Sequence, residues 1–247
     1  MKAMKWLFTI VLAYLIPLVP KAQNIILDEN AEARTVAPFD KIDVRGGLVV
    51  YLTNGNEPSL AVSAANKADL PKIISEVVNG TLVLKVESGT WNGWNWTNKK
   101  LKVYVALPQL TSVDASGGSI VKTVDTLNAP SLNMYFHGGS IGTFWVRSTQ
   151  LSIKASGGSI MEFLGKTTQY TADISGGSIL KTSEFISGEA EVNVSGGSVA
   201  KVQSTNLKIK ASGGSVVDYK KSTAASARVT VVRTGGSVVN GKSTDED

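Results

Sequence analysis

The chain has 247 residues, a formal charge of +5, no cysteine and one histidine. Lack of cysteine excludes thiolate zinc clusters, iron–sulfur centres, thiol catalysis, disulfides and a lipid-modified N-terminal cysteine, and a single histidine excludes multi-histidine metal sites. Nothing in the composition points to a cofactor.

Residues 1–22 read as a secretory signal peptide. Lys2 and Lys5 form a basic start, residues 6–19 are apolar but short for a membrane span, and Ala22 offers a small residue for cleavage. Removing the segment takes Lys2, Lys5 and Lys21 with it and lowers the formal charge from +5 to +2. So balanced a surface gives no electrostatic reason to expect nucleic acid or an anionic membrane as partner. No later segment approaches the apolar length of a membrane span, so the expected location is the periplasm, the cell surface or the medium.

Residues 23–110 carry weaker β signals. Ile42, Val44, Gly46-Gly47, Val50 and Leu52 resemble a degenerate copy of a motif that recurs later, and residues 60–64, 73–78, 81–86 and 101–107 read as strands. Asn79-Gly80 is a tight-turn signal between two of these, and residues 66–71 fit one helical turn.

Residues 111–242 hold the dominant feature, a phrase of Gly-Gly-Ser followed by Ile or Val. Its leading glycines are Gly117, Gly138, Gly157, Gly176, Gly196, Gly213 and Gly235, spaced by 21, 19, 19, 20, 17 and 22 residues. Self-similarity near twenty residues marks a solenoid whose coils stack on one another. Before each bend, period-two alternation places Ile153, Ile174, Val194 and Ile209 inward and Lys154, Asp173, Asn193 and Lys210 outward. After the bend, Ile120, Ile141, Ile160, Ile179, Val199, Val216 and Val238 are expected to resume the inward column. A looser return such as residues 165–169 completes the coil.

The glycines are assigned to corners that need positive φ or close backbone approach. Ser119, Ser140, Ser159, Ser178, Ser198 and Ser215 then form a ladder that satisfies the corners, a reading preferred over a ligand groove. The fold class is all-β, a parallel β-helix. Variable returns fit a right-handed helix better than a left-handed hexapeptide helix, which would show a period of six. The missing Asp after the glycines argues against calcium coils. Residues 243–247 form a polar tail.

Phe39-Asp40-Lys41-Ile42-Asp43-Val44, Gly46-Gly47, Asn79-Gly80-Thr81-Leu82, Pro108-Gln109-Leu110 and the Gly-Gly-Ser coils together carry a family likeness. The chain resembles the putative auto-transporter adhesin, head GIN domain family of exported bacterial envelope proteins, over roughly residues 35–240. That resemblance implies a β-helical domain and an adhesin-like role, and it supplies no catalytic residues. The coils are not expected to lead into a translocator barrel, so the chain is expected to depart from the auto-transporter part of the name.

Three local motifs invite chemistry. Gly236 to Ser243 fits G-x-x-x-x-G-K-S, yet a phosphate loop must open a helix, and the setting here is a β coil with four residues to follow. Trp91, Trp94 and Trp96 crowd a Gly- and Asn-rich loop, where aromatic rings beside amides suit contact with a sugar; rings folded back over core are the competing reading. His137 replaces serine in one copy, and nothing in the repeat pattern orients it as a base. The expected function is a non-enzymatic, adhesin-like binding or structural module contacting a glycan or a cell-surface protein. A polysaccharide lyase or hydrolase on the same scaffold is the alternative, which outward columns of interleaved opposite charge disfavour.

Overall fold

The computed structural model describes residues 28–87, 100–222 and 224–243. Chain order begins with β1 (Glu32–Arg34), β2 (Lys41–Arg45), β3 (Val49–Asn54), β4 (Ser59–Ser63), a 3-10 turn (Lys67–Lys72), β5 (Ile73–Val78), β6 (Thr81–Val86) and β7 (Lys102–Leu107). There follow β8 (Ser112–Ser116), β9 (Ile120–Thr123), β10 (Leu127–Asn128), β11 (Ser131–Phe136), β12 (Ile141–Ala155), β13 (Ile160–Ile174) and β14 (Ile179–Thr182). The last are β15 (Phe185–Val194), β16 (Val199–Ser204), β17 (Asn206–Ala211), β18 (Val216–Lys221), β19 (Arg228–Arg233) and β20 (Val238–Ser243).

Two parallel ladders run along the stack, as the alternation requires. One, made by strands entering the bends, is β2–β8–β11–β12–β13–β15–β17–β19. The other, made by strands leaving them, is β3–β9–β12–β13–β14–β16–β18–β20. Strands β12 and β13 are long enough to leave one bend and enter the next. The molecule is therefore an all-β parallel solenoid.

The first end of the stack is not in chain order. Strand β2 lies between β8 and β6, and β3 between β9 and β7. The coil holding Gly46-Gly47 is thus enclosed by residues from later in the chain. Antiparallel strands close this end, with β5 on β6, β4 on β7 and β1 on β4. The β5–β6 hairpin turns at Asn79 (φ +50°) and Gly80 (φ +75°). Arg34 fastens the closure, its guanidinium donating to the Leu70 carbonyl at 2.9 Å, the Ser75 hydroxyl at 3.0 Å and the Ile73 carbonyl. Asp28 is fastened likewise, accepting from the Tyr104 hydroxyl at 2.8 Å and the Lys102 ammonium at 3.1 Å.

Inside, aromatic rings stack from coil to coil. Phe136 meets Phe144 edge-on at 5.7 Å, Phe144 lies over Phe163 at 5.4 Å, and Phe163 continues to Phe185 at 6.0 Å. Stacking at coil spacing gives Phe144 and Phe163 a ring neighbour on each side, worth about 1 kcal/mol per pair beyond burial. Tyr170 extends the cluster, and its buried hydroxyl, 3.1 Å from Thr182 Oγ1, has its pKa pushed up to about 12 by burial, against the hydrogen bond to Thr182.

Ile153, Ile174, Val194 and Ile209 are buried, and Lys154, Asp173 and Lys210 are exposed, as the alternation predicts; Asn193 is half-buried and donates to Asp173 at 2.7 Å. Beyond the bends the expected phase is reversed. Ser119, Ser140, Ser159, Ser178, Ser198 and Ser215 are fully buried. Ile120, Ile141, Ile160, Ile179, Val199 and Val216 are only half-buried, and Val238 is exposed. The cause is parity. A two-residue bend leaves period two intact, so Ala115, Ser119 and Val121 all point inward and Ile120 points outward. Serine can occupy the interior because the corner offers it acceptors: Ser140 donates to the His137 carbonyl at 2.7 Å, Ser159 to Ser156 at 2.8 Å, and Ser215 to Val194 one coil below at 3.2 Å. A buried hydroxyl with such a partner escapes the cost of an unpaired one.

The return at residues 165–169 also differs from expectation, because β13 runs through it without a break. Gly165 makes this possible with φ +104°, at a spot where a Cβ would lie 2.2 Å from the Val146 carbonyl oxygen. Thr167, Ser187 and Ser204 line the interior beyond it as a second hydroxyl ladder. Ser148 donates to Thr167 at 2.8 Å, and Ser187 to the Gln203 carbonyl at 3.1 Å.

Candidate functional site

The bend glycines named from the sequence occupy real corners. Gly117, Gly138, Gly157, Gly176, Gly196, Gly213 and Gly235 all have φ between +63° and +66°. At Gly176 a Cβ would meet the Gly157 nitrogen at 2.8 Å, while at Gly177 it would meet nothing within 4 Å. The leading glycine is needed twice over, for its dihedral and for the close approach of the coil below. These positions build the scaffold.

Trp91, Trp94 and Trp96 lie outside the described residues. His137 is half-exposed and is oriented after all: its Nε2 lies 2.9 Å from Asp114 Oδ1, brought beside it by stacking of β11 on β8. The repeat pattern hid this pair because its members stand at different offsets in neighbouring coils. Burial, and then the nearby Asp43 carboxylate, push the Asp114 pKa up, while His137 and Arg45 oppose the rise. None of the described hydrogen bonds adds a nucleophilic hydroxyl to the pair. Among the described residues, no three acidic or histidine side chains are placed to hold a metal.

A concave feature runs along the ladder that enters the bends, a groove of about 960 Å³. Two outward columns line it in strict register. One is Ser131, Gln150, Gln169, Glu189, Asn206 and Arg228; the other is Asn133, Ser152, Thr171, Glu191, Lys208 and Thr230. Ala225, Ser226 and Ala227, preceding β19, close one end. Each coil contributes one amide, hydroxyl or charged group per column, so polar groups recur about every 4.8 Å over roughly 24 Å. Charges within the groove balance, with Glu189 and Glu191 against Lys208 and Arg228.

Glu191 Oε1 is shared by Lys210 Nζ at 2.9 Å and Lys208 Nζ at 3.3 Å, and these two hydrogen bonds lower its pKa. A glycosidic general acid needs the opposite shift. Asn206 Oδ1 is buried with no hydrogen-bond partner among the described residues. The arrangement suits hydrogen bonding to an extended polar chain. Sequence reading set Lys154, Asp173, Asn193 and Lys210 on the outer face of these strands without seeing the groove beside them. Its signal was a second polar column, whose members share polarity and not identity.

The fold and groove define a β-solenoid with a grooved polar face. Residues 38–223 match the family described as putative auto-transporter adhesin, head GIN domain, and the chain belongs to that family. Crystal structures share the fold at low identity. A putative adhesin of Bacteroides fragilis aligns with TM-score 0.74 and 15% identity, over 86% of this chain and 96% of its own. A putative adhesin of Parabacteroides merdae aligns with TM-score 0.64 and 16% identity, over 86% and 95%. A protein of Parabacteroides distasonis described as a putative lipid binding protein aligns with TM-score 0.64 and 16% identity, over 87% and 98%. No curated protein matches the chain. No helix among the described residues is long and apolar enough to cross a membrane.

Proposed function

We propose that this chain is an exported, non-enzymatic, adhesin-like module that holds an extended polyhydroxyl chain, a glycan, along its polar groove. The observation that carries this reading is the pair of in-register polar columns, which offer hydrogen bonds at a constant rise to a ligand that is itself linear and repetitive. Membership in an adhesin-named family supports a contact role, and the signal-like residues 1–22 support export.

The test is retention on a glycan array, with product analysis of every hit. Alanine at Gln150, Gln169 and Glu189 together should weaken retention about tenfold or more, because the loss of several ligand hydrogen bonds is summed. All three side chains are exposed, so the melting temperature should stay within about 2 °C of wild type. Retention unaffected by the triple change removes the groove from consideration. Alanine at Trp91, Trp94 and Trp96 then tests the tryptophan segment as the contact, and shortened glycan products would establish the carbohydrate-active alternative.

A further inference from the structure

We infer that the face formed by the strands leaving the bends is the interface of a two-fold symmetric dimer, in which two copies pack face to face with their stacks running in opposite directions. This does not depend on the glycan reading, since the groove lies on the other ladder.

The face is built around the reversed phase. Val49, Ile120, Ile141, Ile160, Ile179, Val199, Val216 and Val238 form one unbroken outward column, in register from coil to coil. It is roughly 34 Å long at about 4.8 Å per coil. On the bend side the second glycines present bare backbone, with open space around Gly118, Gly139, Gly158, Gly177 and Gly197, so another surface can approach closely. On the other side stands a second outward column: Tyr51, Lys122, Thr143, Glu162, Lys181, Lys201, Asp218 and Asn240. A regular apolar stripe of this length is unusual on a surface with no partner.

Charge chooses the occupant. Place a two-fold axis parallel to the strands, between the coils of Ile160 and Ile179. The aliphatic column then faces itself, and the second column faces itself in reverse order. Lys122 meets Asp218 of the second copy, Glu162 meets Lys181, Thr143 meets Lys201 and Tyr51 meets Asn240. Every charge in the column that meets a charge meets its opposite, and each pairing occurs twice by symmetry. Running the stacks in the same direction would reverse the strands, so that with the aliphatic column on itself the charged column would face the bend glycines and its charges would find no partners. Trp145, which is 49% exposed, would lie across from the coil of Lys201 and Gln203 in the second copy, where a cation can sit over its face. A second copy also repeats at the same rise, so its aliphatic column can interdigitate over the whole length.

Sedimentation equilibrium on the whole exported chain over a concentration series tests this. Wild type should be a dimer at about 10 μM, and a protein still monomeric at about 100 μM overturns the inference. Replacing Ile160 and Ile179 together by Lys should give a monomer whose melting temperature at high dilution, where wild type also dissociates, matches wild type; a persisting dimer overturns it. The decisive arm is a charge reversal. Lys122 and Asp218 lie five coils apart within one chain, so they can couple only between copies. Lys122→Asp alone and Asp218→Lys alone should each weaken dimerisation about tenfold or more, through two new like-charge contacts, and the double reversal should restore it to within about threefold. Additive losses in the double variant overturn the opposed arrangement.

Discussion

A Cβ placed on Gly176 would stand 2.8 Å from the backbone nitrogen of Gly157, one coil below, whereas its neighbour Gly177 faces open space. Both have positive φ, +66° and +79°. Gly176→Ala therefore bears both a dihedral cost and a backbone collision, and should destabilise by about 2–4 kcal/mol. Gly177→Ala bears the dihedral cost alone and should lose about 1–2 kcal/mol. Denaturant melts of the two variants check the ranking, and equal losses would show that the close approach does not matter.

The reversed phase beyond the bends makes adjacent residues behave oppositely. Met161 is fully buried, and Met161→Ala should cost about 2–5 kcal/mol. Ile160, its half-buried neighbour, should tolerate Thr within about 0.5 kcal/mol. Urea melts at high dilution, where copies do not associate, measure this difference. A larger loss at Ile160 would return it to the core.

The buried serines are not equivalent. Ser119 donates to the Ser116 carbonyl and, at 3.3 Å, to Val44, so Ser119→Ala should lose about 1 kcal/mol. Ser198 Oγ is buried and has no partner among the described residues, so Ser198→Ala should be neutral or stabilising by up to about 1 kcal/mol. Paired thermal melts of the two variants give the comparison.

Acid should loosen the closed end before the coils. Burial acts to raise the Asp28 pKa, but hydrogen bonds from Tyr104, Ser63 and Lys102 outweigh it and hold the value at about 2. A carboxylate with a folded pKa below its unfolded value stabilises above the unfolded pKa, and that contribution is lost as pH falls toward the folded one. Solvent screening reduces it to about 1 kcal/mol, lost between about pH 4 and pH 2. Stability measured against pH should fall less steeply across that window in Asp28→Asn than in wild type.

The coil period, the corner glycines and the strands at residues 73–78 and 81–86 were legible because each has a local cause: spacing, positive φ, alternation. The facing of Ile120 and its counterparts was not, because hydrophobicity was taken to decide facing where parity decides it. Serine inside looks improbable until the inward carbonyl of the corner is known. The Asp114–His137 pair and the groove depend on which coils become neighbours, at offsets that a one-dimensional repeat does not display. Polar columns such as Gln150, Gln169, Glu189 and Asn206 escape detection because similarity of role there does not require similarity of side chain.

The enclosed position of the Gly46-Gly47 coil governs the order in which the chain can assemble. Val44 cannot pair with Leu84 or with Ala115 until those residues have left the ribosome or a translocation channel. The earliest coil is thus the last of its neighbourhood to be completed, held open while some seventy further residues arrive. Contacts that distant in sequence are slow to close, whereas each later coil waits only for the next twenty residues. Vectorial synthesis favours nucleation among the regular coils, with the N-terminal strands folding back onto a stack already formed. A chain stalled before Ser116 would then expose the apolar edges of β2 and β3, making the first hundred residues the aggregation-prone stage of its biogenesis.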